Sequence, residues 1–137
     1  MTKADLNKNN TLKRVERLKS KKIITSLFEK KKGSFFVSAP IIVAYKEIES
    51  TKFKMPQVAF TVSKSKFKHA VDRNRIKRLM REAYRTNKHS FLEKLQQENK
   101  TVALMFIYKK NKIESIDVVE KAVVKVLGMV KFSNNTQ

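Results

Sequence analysis

Eight consecutive residues, Thr101-Val-Ala-Leu-Met-Phe-Ile-Tyr108, are apolar almost without interruption, and they restrict the fold more than any other stretch. The run falls far short of the ~18 residues that suggest a membrane span. It has strand length, and a strand with no polar alternation has no face to give to water. It therefore suits a central strand buried on both sides of a sheet. With 137 residues in all, the chain has the length of one domain, since compact domains commonly run to ~100–150 residues.

The remaining segments supply what such a strand needs around it. Lys21–Lys31 places Ile23, Ile24, Leu27 and Phe28 at helical spacing, with Ser20 as a helix cap and Gly33 as a stop. Phe35–Val37 and Ile41–Tyr45 are short β-branched or aromatic runs split by Pro40, and Gln57–Ser63 alternates like a half-buried strand. A strong helix spans about Val71 to Lys88, and a short helical piece at Ser90–Gln97 continues it or follows it. A last amphipathic helix covers about Ser115–Lys131. The order helix, strands, helix, strand, helix describes a small α+β domain with no internal repeat. Its limits are set at residues 18–132, between a basic, Lys/Asn-rich arm at 1–17, read as disordered, and a frayed tail at 133–137.

Charge narrows the function. Thirty-two Lys and Arg face 12 Asp and Glu, a formal net charge of +20. Such self-repulsion makes sense when a polyanion neutralises it. A membrane surface would favour basic residues gathered on one amphipathic helix; here they spread through the chain and are densest at residues 64–85. The absence of Cys removes disulfide scaffolds, thiol nucleophiles and the usual zinc modules, and two Gly are too few for a nucleotide-binding glycine loop. No charged-then-apolar leader opens the chain, which argues for the cytoplasm. A cytoplasmic nucleic-acid binder is the expectation, with no membrane role.

The helix from Val71 carries the strongest signal. At ~100° per residue, Ile76, Leu79, Met80 and Ala83 share a stripe that can face a sheet. Asn74, Lys77, Arg78, Arg81 and Arg85 fall on the opposite arc, and Arg73 and Arg75 flank the stripe. Within 71–85 only Asp72 and Glu82 oppose six basic side chains. Solvated helix faces normally intersperse the two signs. Five of the six are Arg, whose planar fork suits phosphates and stacks on bases.

The stretch Ala59-Phe-Thr-Val-Ser-Lys-Ser-Lys-Phe-Lys-His-Ala-Val-Asp-Arg-Asn-Arg-Ile-Lys-Arg-Leu-Met-Arg-Glu-Ala-Tyr-Arg85 resembles the signature of the protein subunit of bacterial ribonuclease P. Its centre is Arg73-Asn74-Arg75 followed by Ile76-Lys77-Arg78 and Arg81-Glu82-Ala83, after the strand end Val62-Ser63-Lys64. The element order over residues 18–131 agrees. Where the family often has a glycine before the helix, Phe67-Lys68-His69 stands here. The resemblance implies an α/β sandwich with a left-handed βαβ crossover, a rare connection. It also implies that Arg73, Asn74, Arg75, Lys77, Arg78, Arg81 and Arg85 bind the catalytic RNA.

The first helix has two apolar columns, Ile23/Leu27 and Ile24/Phe28, and the strand at Ile41–Tyr45 is apolar on both faces. From the residues alone these are plain core. In the family, the matching positions form a cleft for the single-stranded 5′ leader of precursor tRNA. The resemblance thus implies that Ile24, Phe28, Val43 and Tyr45 line a leader groove. Lys64 and Lys66, with Lys30, Lys31 and Lys46, are placed to track its phosphates.

No catalytic or metal site is expected in this chain. His69 and His89 lack a partner set, and the carboxylates are scattered. The resemblance puts the catalytic centre in the RNA subunit, with Mg2+ bound mainly by RNA and none by this chain alone. The expected role is accessory, in phosphodiester hydrolysis that removes the 5′ leader, with no obligate protein partner implied. A ribosomal or assembly protein and a DNA-compacting protein are the competing readings; the Arg73–Arg85 motif opposes the first, and the absence of a helix-turn-helix pattern the second.

Overall fold

In the computed structural model, residues 16–28, 34–48 and 55–130 are described. They form α1 (Lys21–Leu27), β1 (Ser34–Ser38), β2 (Ile41–Ile48), β3 (Gln57–Val62), α2 (Ala70–Glu98), β4 (Thr101–Tyr108) and α3 (Ile116–Met129). The four strands make one mixed sheet in the order β1-β2-β4-β3. As the apolar run demands, β4 is internal, antiparallel to β2 and parallel to β3. Parallel neighbours need a long crossover, and α2 supplies it.

Alternation along the strands sorts the side chains into two layers. One face of the sheet presents Ile41, Val43, Tyr45, Val58, Val62, Val102, Leu104, Phe106 and Tyr108 to α2 and α3. The other presents Ala44, Ala103 and Met105 to α1, which inserts Leu27 while Leu18 joins from the preceding segment. Two helices need bulky strand residues beneath them; a single short helix seats on alanines. Phe106 is fully buried, stacked on Phe60 at 5.5 Å and tilted against Tyr84 at 5.7 Å. Phe106→Ala is expected to cost about 3–5 kcal/mol, measured by urea denaturation; a loss below 1 kcal/mol contradicts this packing.

Local sequence sets the helix limits. Ser20 and Ser115 cap α1 and α3 by accepting from the amides of Ile23 and Val118. The long helix does not break at Lys88. Phe91 and Leu95 prolong its buried stripe, so α2 runs 29 residues until Asn99 adopts a left-handed conformation.

The lower domain limit needs correction. Glu16 is fully buried with both carboxylate oxygens 3.0 Å from Lys88 Nζ, and the Leu18 amide donates to the Val58 carbonyl at 2.9 Å. Arg17 bridges β3 at Val58. Glu16 and Arg17 therefore belong to the folded domain, because a buried carboxylate requires its partner. The rest of the expected arm, the tail at 133–137, Gly33, Lys30 and Lys31 lie outside the described residues.

Candidate nucleic-acid interface

The buried stripe of α2 at Ile76, Met80, Ala83 and Tyr84 obliges the opposite side of the helix to face solvent. Asn74, Arg75, Arg78 and Arg81 are exposed there, and Arg73, Lys77 and Arg85 are half-buried. The seven expected residues thus share one helix, but they are not equivalent. Arg73 donates from Nη1 to the carbonyls of Phe67 (2.7 Å) and Lys68 (2.9 Å). His69, at the helix cap, makes no side-chain cap bond, so the Arg73 guanidinium holds the incoming loop in its place. Arg85 donates to both carboxylate oxygens of Glu82. That hydrogen bonding holds the Glu82 carboxyl below the usual carboxylate range and pushes the Arg85 guanidinium up. Arg81 lies 5.8 Å from the centre of the Phe60 ring. Asn74, Arg75 and Arg78 are the side chains presented most directly outward.

The second expected surface is built differently from the expectation. Val43 and Tyr45 do not line a groove beside α1. Both point to the other side of the sheet, Val43 opposite Phe106 and Tyr45 stacked on Phe36 at 5.3 Å, within the core under α2 and α3. The reason is strand parity: odd positions of β2 pair with the bulky even positions of β4, leaving Ile42, Ala44 and Lys46 on the α1 side.

Ile24 and Phe28 do stand on that side. Ile24 packs against the smaller core, and Phe28, 49% exposed, meets Phe35 at 6.0 Å. Phe35 is itself 47% exposed. Beside them the row Val37–Ile42–Ile107–Thr61 crosses all four strands and stays partly open. Phe35, Val37 and Ile107 are not among the residues expected on this side, and of the two faces of β2 it is the one with Ile42, not the one with Val43 and Tyr45, that is turned here; the signal available for the edge strand is the parity of Phe35 and Val37 against Phe36. Lys46 Nζ donates to Ser26 Oγ at 2.9 Å, tying α1 to the sheet.

The apolar row ends where β3 and β4 end, at the turn carrying exposed Lys64 and Lys66. Lys66 Nζ donates to the Lys109 carbonyl, joining this turn to the one after β4. The same turn leads through Phe67 and Lys68 to Arg73. A partly exposed apolar strip and an arginine face therefore lie on opposite sides of the sheet and meet at one basic end. Among the described residues, no three His, Asp or Glu side chains gather to hold a metal, and no described helix is long and apolar enough to cross a membrane.

Comparisons with known proteins agree on one family. The family model for ribonuclease P matches residues 12–131. The ribonuclease P protein component of Porphyromonas gingivalis is 34% identical over 116 residues, 85% of this chain and 83% of that protein. The one from Chlorobaculum tepidum is 34% identical over 131 residues, 90% of this chain and 83% of that protein. The solved Staphylococcus aureus RNase P protein shares the fold, with a TM-score of 0.57 at 20% identity, covering 83% of this chain and 94% of that one. A match over nearly the whole folded span, carried by relatives of similar length, shows that this chain belongs to the ribonuclease P protein family.

Proposed function

We propose that the chain docks on ribonuclease P RNA through the outward side of α2 and receives the 5′ leader of precursor tRNA on the α1 side of the sheet. The observation that carries this reading is the exposed Asn74–Arg75–Arg78–Arg81 side of α2 in a member of this family. The particle works in the cytoplasm, where its RNA subunit hydrolyses the phosphodiester joining leader to mature tRNA. Mg2+ belongs to that RNA in this reading and supplies charge stabilisation there.

The protein contributes by binding. A single-stranded leader is present in the precursor and absent from the product, so any grip on it separates the two. Base stacking on aromatic rings is worth ~1–3 kcal/mol per base and ignores sequence, since every base has a π-face. Phe28 and Phe35 offer such rings, Val37, Ile42 and Ile107 an apolar floor, and Lys64 and Lys66 a path for phosphates. The arginine side of α2 screens repulsion between RNA segments, which lets Mg2+ act at lower concentration.

The test is Phe28→Ala with Phe35→Ala in the reconstituted holoenzyme. Affinity for leader-bearing precursor is expected to fall about 10-fold or more, the equivalent of losing one stacked base, while mature tRNA binds as before. Equal losses for both RNAs would return these rings to a purely structural role.

A further inference from the structure

The connection from β4 to α3 reads Lys109-Lys-Asn-Lys-Ile-Glu114, three cations in four residues. Like charges at that density repel one another, and an exposed turn carrying them has little reason to keep one shape. This one is fixed at four backbone groups. The Lys109 amide donates to the Pro40 carbonyl at 2.9 Å, and the Lys109 carbonyl accepts from Lys66 Nζ. The Tyr108 ring is fully buried and meets Phe67 edge-on at 6.1 Å. Its hydroxyl donates to the Lys112 carbonyl and accepts from the Glu114 amide, both at 2.9 Å.

Building on the leader path above, we propose that this turn is a preformed phosphate-binding element of that path. Lys109, Lys110 and Lys112 take backbone phosphates of the precursor's leader, and Tyr108 is a positioning residue whose hydroxyl sets the shape of the turn. Position favours the leader as the occupant. Lys109 adds one ladder bond to β4, so by alternation it stands on the α1 side, about 7 Å past Ile107, where the apolar strip ends. Lys64 and Lys66 reach the same end from the neighbouring turn.

The charge fits as well. Lys109, Lys110 and Lys112 are exposed. Lys110 and Lys112 converge on one Glu114 oxygen, at 3.7 and 3.8 Å, a single carboxylate that cannot neutralise both. Contacts this long between exposed lysines and a carboxylate are weak, so a phosphate displaces them readily while the backbone stays in place. A strand gripped by lysines on a loose turn must also order that turn, and fixing the turn beforehand removes this entropic cost. Lysines that only meet water need no such bracing.

The test compares leader-bearing precursor with mature tRNA on the reconstituted holoenzyme. The triple variant Lys109→Gln, Lys110→Gln, Lys112→Gln is expected to lower the slope of log affinity against log salt for the precursor by about 2, since each phosphate of a single strand contributes ~0.7. The slope for mature tRNA stays as it was. Tyr108→Phe keeps every charge and the buried ring. It is expected to weaken precursor binding at least threefold, to leave mature tRNA unaffected, and to cause no further loss in the triple-variant background. Additive losses, or equal losses on both RNAs, overturn the positioning role of Tyr108. Triple-variant losses shared by both RNAs overturn the proposal in favour of a contact with ribonuclease P RNA or the tRNA body. The Phe28→Ala, Phe35→Ala variant runs beside them. If it discriminates between the two RNAs and the lysine variant does not, the turn is no part of a leader path that itself stands. If neither discriminates, the leader path fails and the turn with it.

Discussion

Replacing Arg75, Arg78 and Arg81 together with alanine lowers the slope of log affinity against log salt for ribonuclease P RNA by about 2–3, because each neutralised phosphate contributes ~0.7–0.9. The effect on affinity is largest at low salt, where the released counterions matter most. These three are chosen because the structure separates them from their neighbours. Arg73 spends its fork on the carbonyls of Phe67 and Lys68, and Arg85 is committed to Glu82. Substituting either mixes a loop or helix effect into the RNA effect. Arg75, Arg78 and Arg81 are exposed, so stability should move little; Arg81 forfeits its contact with Phe60, ~0.5–1 kcal/mol at an exposed site. Filter binding across a salt series checks this. A slope equal to the wild type's contradicts the assignment of α2 as the RNA face.

The largest effect on stability is expected at Lys88. Its ammonium and the Glu16 carboxylate are 1% and 0% exposed and paired at 3.0 Å. Lys88→Met takes the Lys88 cation away from a buried carboxylate, a loss of about 3–5 kcal/mol. Domains of this kind have ~5–15 kcal/mol in all, so the variant should unfold at a markedly lower urea concentration. Removing both charges, by Lys88→Met with Glu16→Leu, should recover most of the loss, since apolar replacements of a buried pair are often neutral. Two-state urea titrations of the three proteins give the coupling directly. A double variant as unstable as the single one would show that Glu16 matters for something other than its charge.

Much of the architecture was legible because it depends on local pattern. The unbroken apolar run of β4 announced a strand with neighbours on both sides, and the 3.6-residue stripe of α2 separated the core side from the arginine side. The face assignment of β2 was not legible. Ile41–Tyr45 is apolar on both faces, so alternation alone leaves the parity open; it is settled by which β4 residues stand opposite. Family likeness then put Val43 and Tyr45 on the α1 side, whereas the sheet turns Ile42 to that side, together with Phe35 and Val37 of the edge strand. The Glu16–Lys88 pair was equally hidden. The two residues are 72 apart in sequence, and nothing local distinguishes this lysine from the others. Charge composition even pointed the wrong way, since it grouped Glu16 and Arg17 with a solvated arm.

These elements explain how a small basic domain serves an RNA-centred reaction. The sheet keeps the arginine helix and the apolar strip on opposite sides, and the turn with Lys64 and Lys66 joins them at one end. On the proposed reading, docking to a structured RNA and holding a flexible strand then proceed together. The most direct measurement is reconstitution of this chain with a ribonuclease P RNA at a Mg2+ concentration too low for the RNA alone, scoring cleavage of a precursor tRNA. The account predicts release of the intact leader at the correct mature 5′ end, dependent on added protein. No cleavage at any protein concentration, or the same rate from the Arg75, Arg78 and Arg81 triple variant, would contradict it.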